Sequence, residues 1–250
     1  MMPVAQPTKP ASQHVKPVWL AWSGGKDSAL ALYHLQRSGR LRVTRLLTTV
    51  TDVYQRTSMH GLRRELLRRQ AAALGLDVVE VVLPVPCSNE EYGARMARAL
   101  AAARAEEVNA VAFGDIFLED VRAFREKQLA AVGMEAVFPL WGRDTGEVAR
   151  EFIGLGFAAR LVCVDAARLD PAFVGRRYDE QLLRELPPGV DPCGERGEFH
   201  TFVWDGPIFR APVRHAAGEV VHRDGLVFQD LLPVDGPDQS SAPLRQREPW

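Results

Sequence analysis

Lysine is scarce in this chain, with four residues against 27 arginines in 250. Beside abundant Ala and Leu, that imbalance reads as the codon bias of a GC-rich, prokaryotic genome. It also sets Lys26 and Lys127 apart from filler. Cysteine is scarce too: Cys87, Cys163 and Cys193 are widely spaced and odd in number. No disulfide framework and no C-x-x-C metal site follows, and a reducing, cytoplasmic setting is expected. The six histidines contain no H-x-x-x-H pair. No run approaches the roughly 18 apolar residues of a membrane span. The first residues carry Pro, Gln, Thr and Lys in place of an apolar core, so no signal peptide is expected. Charge of one sign is also missing: the net charge is −1. A nucleic-acid partner or membrane surface is therefore not expected.

What is present suits a globular protein, with 46% apolar and 25% charged residues. The length allows one large α/β domain with a small appendage. Residues 1–16 lack periodicity and read as a disordered tail. Strands are then predicted near 18–22, 42–51, 78–83, 110–113, 136–140 and 160–164. Helices are predicted near 27–38, 61–74, 89–108, 119–132 and 145–155, with Asn89 as N-cap of the third. The nearly continuous apolar run 78–83 suits a strand buried on both faces. Strands alternating with helices predict right-handed βαβ units around a parallel sheet, an α/β domain over 17–168. Arg63, Arg64, Arg68 and Arg69 read as a solvated helix face. From about Asp170 the rhythm changes. A helix near 172–186 and hairpin-connected strands, one turn at Ala216-Ala217-Gly218, predict a small α+β subdomain over 169–233. Residues 234–250 read as a second tail.

The organising stretch is Trp22-Ser-Gly-Gly-Lys-Asp-Ser28. It turns the chain from the first strand into the first helix. Backbone N–H groups at such a turn meet the positive end of the helix dipole, and paired glycines let a phosphate approach. Ser23, Gly24, Gly25, Lys26, Asp27 and Ser28 are the candidate phosphate-binding residues. The Gly-to-Lys spacing excludes a Walker A loop. Gly154-Leu-Gly156-Phe-Ala-Ala159 fits a dinucleotide pattern formally, but it follows a helix and precedes a strand, so it reads as a helix end.

Gly114-Asp115 leaves the C-terminal end of the fourth strand, where doubly wound sheets bind ligands. Acids beside a triphosphate usually act through Mg²⁺, which nominates Asp27 and Asp115 as metal ligands. The loop 56–61 follows the second strand and offers Met59 to an adenine ring. Asp191-Pro-Cys-Gly-Glu-Arg-Gly-Glu-Phe-His-Thr201 concentrates reactive groups: Glu195, Glu198 and His200 are candidates for handling an acceptor, an amine or a proton. Cys193 reads either as a nucleophile or as a small buried residue.

The Ser23–Ser28 string resembles the PP-loop of the ATP pyrophosphatases. With Gly114-Asp115, Pro139-Leu-Trp141 and Cys193-Gly-Glu-Arg-Gly-Glu-Phe-His-Thr201, residues 17–232 resemble the diphthine–ammonia ligase family. The resemblance implies a Rossmann-like sheet of the HUP type, with predicted strands in order 3-2-1-4-5. It implies ATP-dependent amidation of a carboxylate by ammonia, releasing AMP and pyrophosphate. The acceptor would be diphthine on elongation factor 2 or, in a bacterium, a carboxylate on a small metabolite. Phe117 and the Phe-His-Thr ending depart from the family's pattern and bear on the acceptor. Lys26, Asp27, Glu195, Glu198 and His200 would carry the chemistry, and oligomeric state stays open. An RNA sulfurtransferase and a non-catalytic ATP-binding module are the alternatives.

Overall fold

The structure is a computed structural model and describes residues 15–52, 56–57 and 61–235. Met59, most of the N-terminal tail and residues 236–250 lie outside the described residues. Strand β1 (Lys16–Ala21) is buried through Val18, Trp19 and Leu20. It leads into α1 (Lys26–Ser38), whose apolar residues 29–32 and Leu35 pack inward. Then follow β2 (Leu41–Thr51), the two-residue β3 (Arg56–Thr57), α2 (Arg64–Leu74) and β4 (Asp77–Leu83). The chain continues through α3 (Asn89–Ala105), β5 (Ala110–Ala112), α4 (Glu119–Ala130), β6 (Glu135–Val137) and α5 (Thr145–Gly154).

Strands β4, β2, β1, β5 and β6 lie side by side and parallel, the order expected for the five strands. The chain winds outward from β1 to β4, then returns to the other side of β1. The switch between β1 and β5 opens a crevice at the strands' C-terminal ends. Helices cover both faces. Leu30, Leu66 and Phe152 help form the core on one side, and Trp19, Leu100 and Leu129 on the other.

Several expectations are corrected. Strand β4 is an edge strand, so only Val81 and Leu83 in it are fully buried. Its Glu80 binds Arg64 and Arg68 of α2, while Arg63 and Arg56 clasp Asp230. The arginine face, well exposed at Arg63 and Arg68 as expected, is also tied to acids. Ser88, one residue earlier than Asn89, caps α3 by accepting from Glu91 N at 3.1 Å. The sixth predicted strand, β7 (Ala158–Asp165), does not extend the parallel sheet. It is antiparallel to β8 (Phe199–Asp205) and β10 (Leu226–Pro233), and β10 pairs with β9 (His215–Arg223). Ala216-Ala217-Gly218 lies inside β9. The turn falls at Asp224-Gly225, both at positive φ, as a two-residue hairpin requires. The helix expected near 172–186 is a single 3₁₀ turn, Pro171–Phe173, followed by α6 (Glu180–Glu185). Gly154–Gly156 ends α5, with Gly156 at φ +78°. Among the described residues, no helix is long and apolar enough to cross a membrane.

Candidate active site

The turn after β1 and the loop before β8 meet at the crevice. Gly25 is the N-cap of α1 and brings no capping side chain of its own, so the first-turn N–H groups depend on other partners, Thr201 among them. Gly24 has φ +84°, and a Cβ there would meet Gln70 Oε1 at 2.8 Å. Only glycine fits that backbone and that neighbour. Gln70 is fully buried on α2 and braces the turn: its Nε2 donates to Gly24 O and Val203 O at 2.9 and 2.6 Å. Its Oε1 accepts from Trp22 Nε1 at 3.1 Å. Strand β8 completes the brace, with Val203 N donating to Gly24 O and Lys26 N to Thr201 Oγ1, both at 3.0 Å. Within the turn, Ser28 Oγ donates to Gly25 O at 2.9 Å and lies 3.3 Å from Ser23 Oγ.

Lys26 is the centre of the arrangement. Its side chain is only 3% exposed. Nζ donates to both Asp27 oxygens, at 2.8 and 2.7 Å, and to the carbonyl of Cys193. It also lies 5.8 Å from the ring centres of both Tyr178 and Phe199. Burial alone would lower its pKa. Asp27, Cys193 and Glu195 together outweigh this and hold the ammonium above its ordinary range. Burial lifts the Asp27 carboxyl in turn, despite Lys26, with Asp191 and Asp115 adding to the rise.

Glu195 reaches across from the 191–201 loop, and its Oε1 accepts from Ile116 N at 2.7 Å. Burial, reinforced by Asp27, pushes its pKa up to about 7. A carboxyl poised there can take or give a proton near neutrality. His200 lines the same cleft, and burial together with Lys26 brings its pKa down to about 4, so the ring is neutral. Glu198 stands apart. It is 3% exposed, absent from the cleft lining, and accepts from Asp191 N and Arg196 N at 3.2 and 3.0 Å. It folds the loop that aims Glu195. Cys193 is buried, its Sγ donates to Thr145 O at 3.3 Å, and burial pushes its pKa up to about 12. A thiol so held is not a nucleophile at neutral pH.

Gly114 packs directly on the first turn of α1, and Asp115 beside it lines the cleft. Asp115 is paired with Arg125, Nε to Oδ2 at 2.6 Å, and that guanidinium lies 4.6 Å from the Phe113 ring centre. Among the described residues, no group of three or more His, Cys, Asp or Glu side chains could hold a metal ion by itself. A Mg²⁺ that arrives on phosphates needs only one or two protein oxygens, and Asp27 and Asp115 would have to loosen their pairs with Lys26 and Arg125 to offer them.

The cleft holds about 400 Å³. Its polar end is the Lys26 turn with Glu195, His200 and Thr201. Its apolar lining, with Met96, Leu100, Phe113 and Leu129 and also Thr48 and Thr49, was not foreseen. Gln70 and Tyr178 were missed as well; Tyr178 donates to Pro192 O at 2.7 Å and so fixes the loop that receives Lys26.

The diphthamide synthase N-terminal domain matches residues 16–136, and the diphthamide synthase C-terminal domain matches residues 144–225. Human diphthine–ammonia ligase is 32% identical over 128 residues, covering 49% of this chain and 48% of the human protein. The zebrafish (Danio rerio) diphthine–ammonia ligase is 34% identical over 123 residues, 47% of this chain and 48% of that protein. The Schizosaccharomyces pombe protein of the same name is 27% identical over 128 residues, 46% of this chain and 21% of its own length. The matched region spans about half the length of the animal relatives. With both diphthamide synthase domains present in sequence order, the chain belongs to the diphthamide synthase family, that of the diphthine–ammonia ligases.

Proposed function

We propose that this chain is an ATP-dependent ligase that adenylates a substrate carboxylate and amidates it with ammonia. The observation that carries this reading is the seating of Lys26: a buried ammonium at a helix N-terminus, facing a carboxyl poised near neutrality. The turn 23–28 grips the β- and γ-phosphates, and the adenine lies on the apolar wall of Met96 and Phe113. Mg²⁺ held by Asp27 or Asp115 would offset the triphosphate's charge. The acceptor's carboxylate oxygen attacks the α-phosphorus, the bridging P–O bond breaks, and pyrophosphate leaves with the electron pair. Lys26 and the α1 N-terminus stabilise that developing charge. Ammonia then adds to the acyl carbon, the acyl C–O bond breaks, AMP departs, and the surplus amine proton passes to Glu195. His200, neutral, orients the acceptor.

The curated relatives are named for diphthine and ammonia. For this chain the acceptor is diphthine on elongation factor 2 or a carboxylate metabolite of like charge. The raised Cys193 thiol speaks against sulfur transfer. Exchange of labelled pyrophosphate into ATP, screened against carboxylates and elongation factor 2, tests the reading. It should appear with one acceptor. Lys26→Ala should lower it by about 10²–10³. Because that change leaves Asp27 without its partner, a thermal melt accompanies the assay. Glu195→Gln should keep the exchange and lower amide formation by about 10²–10⁴. Wild-type exchange in folded Lys26→Ala protein, or ATP bound with no AMP formed against any acceptor, overturns the assignment.

A further inference from the structure

Most arginines near the parallel sheet are matched to acids: Arg56 and Arg63 to Asp230, Arg64 and Arg68 to Glu80, Arg125 to Asp115. Arg160 and Arg177 are different. They face each other across an isolated β-bridge, and both guanidinium groups gather on one indole. Arg160 Cζ is 5.1 Å and Arg177 Cζ 5.9 Å from the Trp204 ring centre. Among the described residues, no carboxylate forms an ion pair with either. Arg160 Nε is buried with no hydrogen-bond partner. His215 packs on the same indole, 5.1 Å between ring centres, and its Nε2 is also buried without a partner.

Two like charges brought together on one ring, beside unmet polar atoms, cost free energy unless something of opposite charge joins them. The indole supplies a π face but no acceptor atom. The position is also separate from the cleft. Along β8 side chains alternate: Thr201 meets Lys26, while Phe202 and Trp204 fall on the other face. Arg160 pairs with Phe202 in the sheet register and shares that face.

We propose that Arg160 and Arg177, stacked on Trp204, form an oxyanion site for a phosphoryl group on the sheet face turned away from the Lys26 turn. Two guanidinium forks supply the divalent charge and the several N–H donors that a phosphate dianion accepts. Arg177 is exposed, so a ligand can enter from solvent and need not pass through the cleft.

Calorimetric titration with inorganic phosphate, at ionic strength held constant with chloride, tests this on the full chain. Wild type should bind, and Arg177→Gln should bind at least about tenfold more weakly, with Arg160→Gln behaving alike. In phosphate-free, low-salt buffer Arg177→Gln should melt above wild type, since the variant no longer sets two cations on one ring. Pyrophosphate exchange in the cleft should be unchanged by Arg177→Gln. Glycerol phosphate in place of inorganic phosphate identifies the source: tighter binding points to an ester-borne phosphoryl group, weaker binding to the free ion. Equal phosphate binding in wild type and Arg177→Gln overturns the proposal.

Discussion

Replacing Gly114 by alanine adds one methyl group where two backbones touch. The new Cβ would stand 2.8 Å from the Asp27 carbonyl carbon, 2.9 Å from its oxygen and 2.9 Å from Ser28 N. These are backbone atoms of the first turn of α1, which is itself held by Thr201, Gln70 and Val203. No side-chain rotation relieves the contact. Restoring ordinary separation means moving one backbone by about half an ångström. Overpacking of this kind costs about 1–3 kcal/mol. For a chain of this size each kcal/mol lowers the melting temperature by roughly 2–4 °C. The same shift moves Asp115 and the phosphate turn apart. Misplacement by 1 Å can cost about a hundredfold in rate, so a loss of roughly tenfold in pyrophosphate exchange is expected. Gly93→Ala is the control: it lies within α3 with nothing within 4 Å of the new Cβ, and should hold or raise stability. Scanning calorimetry and the exchange assay read both effects. A Gly114→Ala protein with wild-type melting and wild-type exchange would refute the steric argument.

Gln70→Ala should destabilise by roughly 2–4 kcal/mol in urea unfolding, because Trp22 Nε1 and Val203 O lose a buried partner. The hydrogen bonds of Arg63 and Arg56 outweigh burial and hold the Asp230 carboxyl at about 2. Its folded pKa lies below its unfolded value, so it contributes at most about 2 kcal/mol above pH 4, lost as the pH falls from 4 towards 2. Asp230→Asn should flatten that part of the acid-unfolding curve; an unaltered curve would mean the clasp is not formed in solution. Cys193→Ser should retain pyrophosphate exchange and amide formation within about threefold, whereas loss of turnover in a folded variant would restore the thiol as a reactant.

The alternation of strands and helices and the glycine turn between β1 and α1 were legible because both rest on local signals, whereas the strand order came from the family resemblance. Strand β7 misled for a physical reason. Its residues are buried on both faces, and a doubly buried run reads alike in a parallel or an antiparallel sheet. The Asp224-Gly225 hairpin carried a strong turn signature, yet Ala216-Ala217-Gly218 drew the prediction away from it. Gln70 gave no signal at all, since one glutamine among helical arginines looks like surface. Glu198 shows the converse: a carboxylate in a reactive-looking string turned out to bind its own loop. Glu195, three residues earlier, holds the place in the cleft.

The tie between Lys26 and Thr201 joins residues 175 positions apart. A ribosome makes the glycine turn early and its clamp late. Until Val203 has left the exit tunnel, Gly24 and Lys26 lack the strand that holds them. The glycine turn is therefore among the later features of the fold to mature, although it is made long before its clamp. The turn cannot reach its final shape before the segment that carries Glu195 has been built beside it.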